Sequence, residues 1–442
     1  MIQMQLPEHA KQCLEALEQA GYSAYAVGGC VRDMILGRIP QDYDLCTSAT
    51  PDQIKTVFAG QPMVLAGEKH GTVGIITDQG VVEITTYRIE GGYKDNRHPD
   101  WVAFVDRIEE DLARRDFTVN AMAWSPIRGF ADPFGGREDL KNHILRAVGD
   151  AETRFREDSL RILRGVRFAV RYALTPEQKT EQAMCTLAPL MDNLARERVF
   201  EELCKLLLLV TTEDLLRFAP VLTKAIPELA PMVGFDQRSP HHAYDIYTHT
   251  AHVTGTAPRE LALRWAALLH DTGKVTTFQT DETGRGHFKG HAQESARIAD
   301  AILHRLKAPN ALRERVVFLI DKHMVLLAPE RKTLRRQLSR WGAEALQQLI
   351  ALQQADFCSK GVVGEAPPFD TIEELLAQLL EENACLTLKD LAVNGHDLMA
   401  LGIQGKSVGQ TLNALLAEVL DESLPNERET LLKAVKEQSL TI

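Results

Sequence analysis

An α+β chain is predicted: a mixed α/β head over residues 1–150, then helices to the C-terminus. Three observations predict it. Strand signals at 23–27, 43–46, 63–65, 72–77 and 81–86 are interspersed with helical segments, and none recurs beyond about residue 150. Helical periodicity takes over from there and continues to the end. At 442 residues the chain exceeds what one core sustains, and the head is followed by segments at 151–238, 239–365 and 366–442.

Taken in order, residues 7–20 form an amphipathic helix, with Pro7 near its first turn and Gly21 as its stop. An apolar run ends at Val27 and breaks at Gly28-Gly29, after which Cys30-Val31-Arg32-Asp33 enters a helix. Paired glycines let backbone amides approach an anion closely, and a helix start favours negative charge. Asp42 and Asp44 lie two apart, so on a strand they share a face and Tyr43 points away from it. Two carboxylates beside a phosphate cradle suit Mg²⁺, which takes hard oxygen ligands together with substrate phosphates. Thr50 caps a helix that begins at Pro51. Glu83 is expected on a strand beside the one carrying the Asp pair and is the third carboxylate of a two-metal site, against the plainer role of a solvated strand glutamate.

Residues 88–99 are polar, glycine-containing and of mixed charge, and are expected to form a mobile loop. The stretch 112–123 is expected to open a helix capped by Asp116, with Arg114 and Arg115 placed before its start to meet a triphosphate. Asn120 would reach a ribose hydroxyl. In the neck, Glu157, Asp158, Arg161 and Arg164 recur at helical spacing and Arg167 continues the row. Steps of three drift around a helix, so one ligand is not expected to touch all of them. Such a row is more often a salt-bridged solvated face. Hydrogen-bond chemistry gives it a sharper role. Cytosine and adenine place an exocyclic amino donor beside a ring-nitrogen acceptor, and uracil and guanine reverse that order. An Asp accepts and an Arg donates, so Asp158 beside Arg161 favours C and A over U and G.

Composition bounds the setting. The chain is 45% hydrophobic and 25% charged, and its longest apolar run, 206–210, is too short for a bilayer. The seven cysteines show no paired metal-ligand spacing and read as reduced thiols, so a cytoplasmic protein without a membrane partner is expected. A net charge of −11 argues against a general nucleic-acid coat, but basic residues cluster at 161–171 and 331–340. Oligomeric state is not legible.

The motifs at 28–33, 42–44, 114–121, 132–136 and 157–161, with Arg196-Glu197-Arg198-Val199 after them, occur in an order that resembles the bacterial class II tRNA nucleotidyltransferases, the CCA-adding enzymes, and their sister poly(A) polymerases. The resemblance covers roughly residues 20–235. It implies a polymerase-β-like head and a neck for base selection and tRNA contact. Asp42 and Asp44 are implied as Mg²⁺ ligands, and Gly29 and Arg32 as triphosphate contacts. Arg115, Asp158, Arg161, Arg164 and Arg167 are implied as nucleotide-binding positions. Cys30 stands where the family more often has Ala or Asp. The implied activity is stepwise addition of C, C and A to the tRNA 3′ end from CTP and ATP, by two-metal transfer. Poly(A) synthesis shares the same head and stays open.

A second constellation lies downstream: His249, the adjacent His270 and Asp271 followed by Thr272-Gly273-Lys274, and Asp356, with His291 and His323 ranked behind them. Imidazole and carboxylate groups converging from successive helices suit a second divalent metal. This stretch resembles the HD-domain phosphohydrolases, which implies metal-dependent hydrolysis of phosphate esters such as those blocking an RNA 3′ end. A helical body that keeps ligands without chemistry, a phosphohydrolase with a degenerate RNA-binding head, and a non-catalytic RNA-binding protein are the alternatives. Residues 386–442 look like the small helical tail of HD-containing nucleotidyltransferases, where Gly405-Lys406 reads first as a helix-connecting turn.

Overall fold

A computed structural model describes residues 4–92, 101–240, 242–362, 367–382 and 385–439. The head is built on nine strands: β1 (Ala24–Val27), β2 (Leu45–Thr47), β3 (Met63–Val64), β4 (Thr72–Thr77), β5 (Gly80–Thr86), β6 (Arg88–Gly91), β7 (Trp101–Phe104), β8 (Ala123–Ser125) and β9 (Gly129–Ala131). Seven of them form one sheet in the order β3-β4-β5-β2-β1-β8-β9, and β6 and β7 pair separately. Every neighbouring pair in the large sheet is antiparallel except β2 and β5, whose parallel register sets Leu45 opposite Ile84.

The helices of the head and neck are α1 (Glu8–Gln19), α2 (Gly29–Ile35), α3 (Pro51–Val57), α4 (Ile108–Ala113), α5 (Gly136–Lys141), α6 (Ala151–Glu157), α7 (Leu160–Tyr172), α8 (Gln178–Leu187) and α9 (Arg196–Leu207). Thr50 stands at the N-cap of α3 as expected, and Gln53 closes a capping box with it. Phe117 is fully buried and stacks edge-on against Phe168 of α7 at 5.9 Å, so head and neck share one core. They form one compact unit, residues 1–210 with 217–230.

The second unit comprises 211–216 and 231–442. It takes α10 (Thr212–Arg217) up to Leu216, while α11 (Ala219–Ala225) belongs to the first unit, and then holds α12 (Ile246–Thr256), α13 (Leu261–Leu269), α14 (Lys274–Thr277), α15 (His291–Arg305), α16 (Asn310–Lys322), α17 (Arg331–Trp341), α18 (Ala343–Cys358) and α19 (Phe369–Glu381). A small separate core built on Leu398, Leu415, Val419, Leu431 and Val435 holds α20 (Gly395–Ala400), α21 (Lys406–Leu420) and α22 (Arg428–Ser439). Among the described residues no helix is long and apolar enough to cross a membrane.

Four local expectations change. The strand expected over 43–46 begins at Leu45, because aspartates sit poorly in strands, and Asp42 and Asp44 form the open approach to β2. Strand alternation therefore does not set the direction of Tyr43. The helix expected over 112–123 is absent. α4 has already ended at Ala113, and only a 3₁₀ turn at Thr118–Asn120 follows. The helix expected through 155–168 is broken: Asp158 is extended, its Oδ1 accepts the Leu160 amide at 3.1 Å, and a fresh helix starts after Ser159. Of the loop expected over 88–99, the first four residues are strand β6, and 93–99 lie outside the described residues.

Candidate functional sites

The first site collects at the entry to β2 and the middle of β5. Their parallel register places Asp44, just before Leu45, beside Glu83, just before Ile84. Desolvation by the surrounding protein raises the Asp44 pKa above the usual carboxylate range, the charges of Glu83 and Asp42 add to it, and Arg115 opposes it. Asp42, Asp44 and Glu83 are all exposed, so solvent moderates that desolvation. Three mutually repelling hard oxygen donors fit a divalent cation such as Mg²⁺. Among the described residues, however, they do not bring three ligand atoms within 4.8 Å of one another.

Next to this edge opens a cavity of about 450 Å³ lined by Gly28, Gly29, Arg32, Asp44, Arg115, Asn120, Asp158, Arg161, Arg164 and Arg198, among others. Gly28 adopts φ 74° and ψ −123°, and a Cβ on it would stand 2.9 Å from the Arg115 guanidinium. The Gly28 amide itself is taken, donating to the Met122 carbonyl at 2.9 Å, so Gly28 contributes shape and close approach. Arg114 and Arg115 leave the C-terminal end of α4 and not a helix start, where the dipole favours cations and offers a triphosphate nothing. Both are held by the buried Asp111, at 2.8 Å and 3.2 Å. Burial works against that carboxylate's charge, yet Arg115 and Arg114 keep its pKa below the usual range.

Asp116 caps no helix. It is a buried hub: Oδ2 accepts Arg164 Nε at 2.9 Å and Nη2 at 2.8 Å, while Oδ1 accepts the Asn120 side chain at 3.1 Å. Burial opposes ionisation there, but Arg164 and the Asn120 bond lower its pKa to about 2. Asn120 in turn accepts from Arg32, which also binds Asp33 and the Tyr172 hydroxyl and lies 4.1 Å from that ring. Asn120 lines the cavity, but its amide is engaged within this chain of bonds that runs from α7 to α2.

Asp158 and Arg161 both face the cavity without pairing to each other. Arg161 binds Glu157 at 2.6 Å and the carbonyls of Arg154 and Arg114 at 3.1 and 3.0 Å. Asp158 takes Arg198 of α9 in a two-pronged contact at 2.8 and 3.3 Å. Arg167 does not line the cavity: it is buried and binds Glu202. Arg198 was left out of the expected site residues. Its motif was visible, but only the fold brings α9 up to residue 158.

The second site lies within the second unit. Asp271 Oδ2 is 3.2 Å from His270 Nε2, 3.5 Å from His249 Nε2 and 2.8 Å from Lys274 Nζ, while its Oδ1 is 3.6 Å from His291 Nε2. Asp356 Oδ1 lies 3.0 Å from His249 Nε2. Two groups could hold metal here, His249–His270–Asp271 and Asp271–His291–His323, so His291 and His323 stand level with the residues ranked above them. Each of the four histidines engages a backbone carbonyl through Nδ1, at Ser359, Ala267, Phe288 and Ile320, which leaves the Nε2 lone pairs facing inward. Nε2 of His249, Nε2 of His270 and Oδ2 of Asp271 are buried without a well-directed hydrogen bond, an arrangement that a metal ion would satisfy. A cavity of about 360 Å³ opens over this cluster, ringed by Ser239, Lys274, Arg285, His287 and Lys360. His242, missed in the sequence, also lines it. Its ring packs 4.9 Å from His249, and burial pushes its pKa down to about 3.

Comparison with known proteins places these sites in context. Residues 24–146 match the poly A polymerase head domain, 173–231 the probable RNA and SrmB-binding site of polymerase A, and 287–435 the putative tRNA nucleotidyltransferase domain 2. A CCA-adding enzyme of Lactiplantibacillus plantarum is 35% identical, over 98% of this chain and 97% of its own. Another, of Geobacillus stearothermophilus, is 33% identical, over 98% of each chain. The crystal structure of the Bacillus stearothermophilus CCA-adding enzyme in complex with CTP superimposes with a TM-score of 0.75 at 30% identity, covering 99% of both chains.

Proposed function

Because the chain belongs to the CCA-adding enzyme family of tRNA nucleotidyltransferases, we propose that it adds C, C and A to the 3′ end of tRNA, using CTP and ATP, at the cavity between the glycine turn and α7. One observation carries this reading: a carboxylate, Asp158, and a guanidinium, Arg161, face one cavity of nucleotide size whose other walls are Gly28, Gly29, Arg32 and the Asp44 edge. Asp158 accepts from the exocyclic amine of C or A, and Arg161 donates to the adjacent ring nitrogen. Gly28, Gly29, Arg32 and Arg115 hold the triphosphate. The terminal tRNA hydroxyl attacks the α-phosphorus in line, the bond to pyrophosphate breaks, and the hydroxyl proton passes to solvent water. Asp42, Asp44 and Glu83 would hold Mg²⁺, which supplies charge stabilisation for the attacking and leaving oxygens when bound.

Incubating the protein and Mg²⁺ with tRNA lacking its 3′ end tests this, with CTP and ATP supplied separately and together. Ordered addition of two C and one A is expected, and Asp42→Ala should abolish it. An A-tract without C would assign poly(A) synthesis instead. Asp158→Ala with Arg161→Ala should lose the preference for C and A.

A second reading rests on the orphaned donors of the second site. That cluster would hold a divalent metal for the hydrolysis of phosphate esters, through His249, His270 and Asp271 or through Asp271, His291 and His323, with Asp356 beside His249. Metal content and phosphodiesterase activity measured before and after Asp271→Ala decide it. No change in either would remove the second site from the functional account.

A further inference from the structure

We propose that Arg198 is a positioning residue for base choice: it fixes the direction in which Asp158 presents its carboxylate to the nucleotide. The inference rests on the CCA-adding reading above and deepens it. Asp158 is not held by a helix. It occupies the extended break between α6 and α7. Three donors orient the carboxylate instead: the Leu160 amide at 3.1 Å and the two Nη atoms of Arg198 at 3.3 and 2.8 Å. A carboxylate offers about four lone-pair sites, so one stays open for the amino group of a base. The fork geometry matters because a planar guanidinium fixes both oxygens, whereas a single ammonium holds only a point.

A neighbouring contact separates this role from simple helix packing. Arg198 and Glu202 lie one turn apart on α9, and each reaches an opposite charge at α7: Arg198 meets Asp158, and Glu202 meets Arg167. The Glu202 pair is buried, with side chains 5% and 9% exposed, and it does not line the cavity. The Arg198 pair is 24% and 19% exposed, and both partners line the cavity. One contact anchors the two helices, and the other faces the nucleotide.

The test compares wild type, Arg198→Gln, Arg198→Lys and Glu202→Gln for kcat/KM with CTP against UTP and with ATP against GTP, on tRNA lacking its 3′ end, alongside thermal melting. Arg198→Gln should lower the CTP-over-UTP ratio by about tenfold or more, the scale of one well-placed hydrogen bond. Arg198→Lys should fall between Arg198→Gln and wild type. Glu202→Gln should lower the melting temperature and leave the ratio unchanged. An unchanged ratio in Arg198→Gln, or an equal loss in Glu202→Gln, overturns the proposal. If Arg198→Gln does not fold, Arg198→Lys decides: a wild-type ratio overturns the proposal and a reduced one supports it. A wild type that incorporates nothing would instead count against the CCA-adding reading itself.

Discussion

Single residues carry most of what is specific about the first site. Gly28 holds a backbone conformation that side chains avoid, and it packs against the Arg115 guanidinium. Gly28→Ala should therefore raise KM for CTP and ATP alike, with a stability cost on the order of 1–3 kcal/mol seen in denaturant unfolding. Asp116 carries a pH signature. Its pKa falls from 3.8 to about 2 in the folded chain. A depressed carboxylate stabilises fully above its unfolded value, and that contribution fades as pH drops towards the folded one. The shift corresponds to about 2 kcal/mol. Asp116→Asn should thus destabilise the protein at neutral pH, and its deficit should shrink between about pH 4 and pH 2. The glycine turn, the Asp pair and Glu83 were legible because residue type and short spacing are enough to mark them. The engagement of Asp116 by Arg164, and of Asn120 by Arg32, was not, since each joins positions dozens of residues apart.

At the scale of elements, reading periodicity worked where packing and local chemistry agree. β4 occupies 72–77 as expected, and α3 begins behind its Thr50 cap. It failed where a polar residue had two uses. Asp158 and Ser159 sit at helical spacing, yet both favour caps, and the neck row divides between two helices there. Asp158 pairs with Arg198 of α9, while Arg161 meets Glu157, its neighbour one turn away in the row. The histidine–aspartate cluster depends on similar local devices. Asp245 caps α12 by accepting the Tyr247 and Thr248 amides at 2.9 and 3.1 Å, one turn before His249. Asp245→Ala should cost about 1 kcal/mol of stability. By loosening the helix start it should also weaken zinc or manganese binding measured by calorimetry, with no effect on nucleotide incorporation.

Across the whole molecule, the net charge of −11 conceals how the cations are placed. The basic run on α17 is not a bare surface for RNA. Arg331 and Arg335 meet Glu422, Lys332 and Arg336 meet Asp421, and Arg331 also meets Glu382. These contacts tie α17 to the turn after α21. Asp421→Ala with Glu422→Ala should speed hydrogen exchange across 395–439, and the difference should fade in high salt, where exposed pairs are screened. The sequence announced the cations but not their partners, which lie dozens of residues downstream. The parallel pairing of β2 and β5 has a consequence for how such a chain can vary. Asp44, just before β2, and Glu83, within β5, meet across this parallel pair, so the chain between the two strands, residues 48 to 79, is an excursion that leaves and returns. The turn at Asp78 and Gln79, which joins β4 to β5, is exposed. Residues inserted there lengthen the path without moving either end, so evolution or a protein engineer can graft new sequence at that turn while the spacing between Asp44 and Glu83 stays as it is.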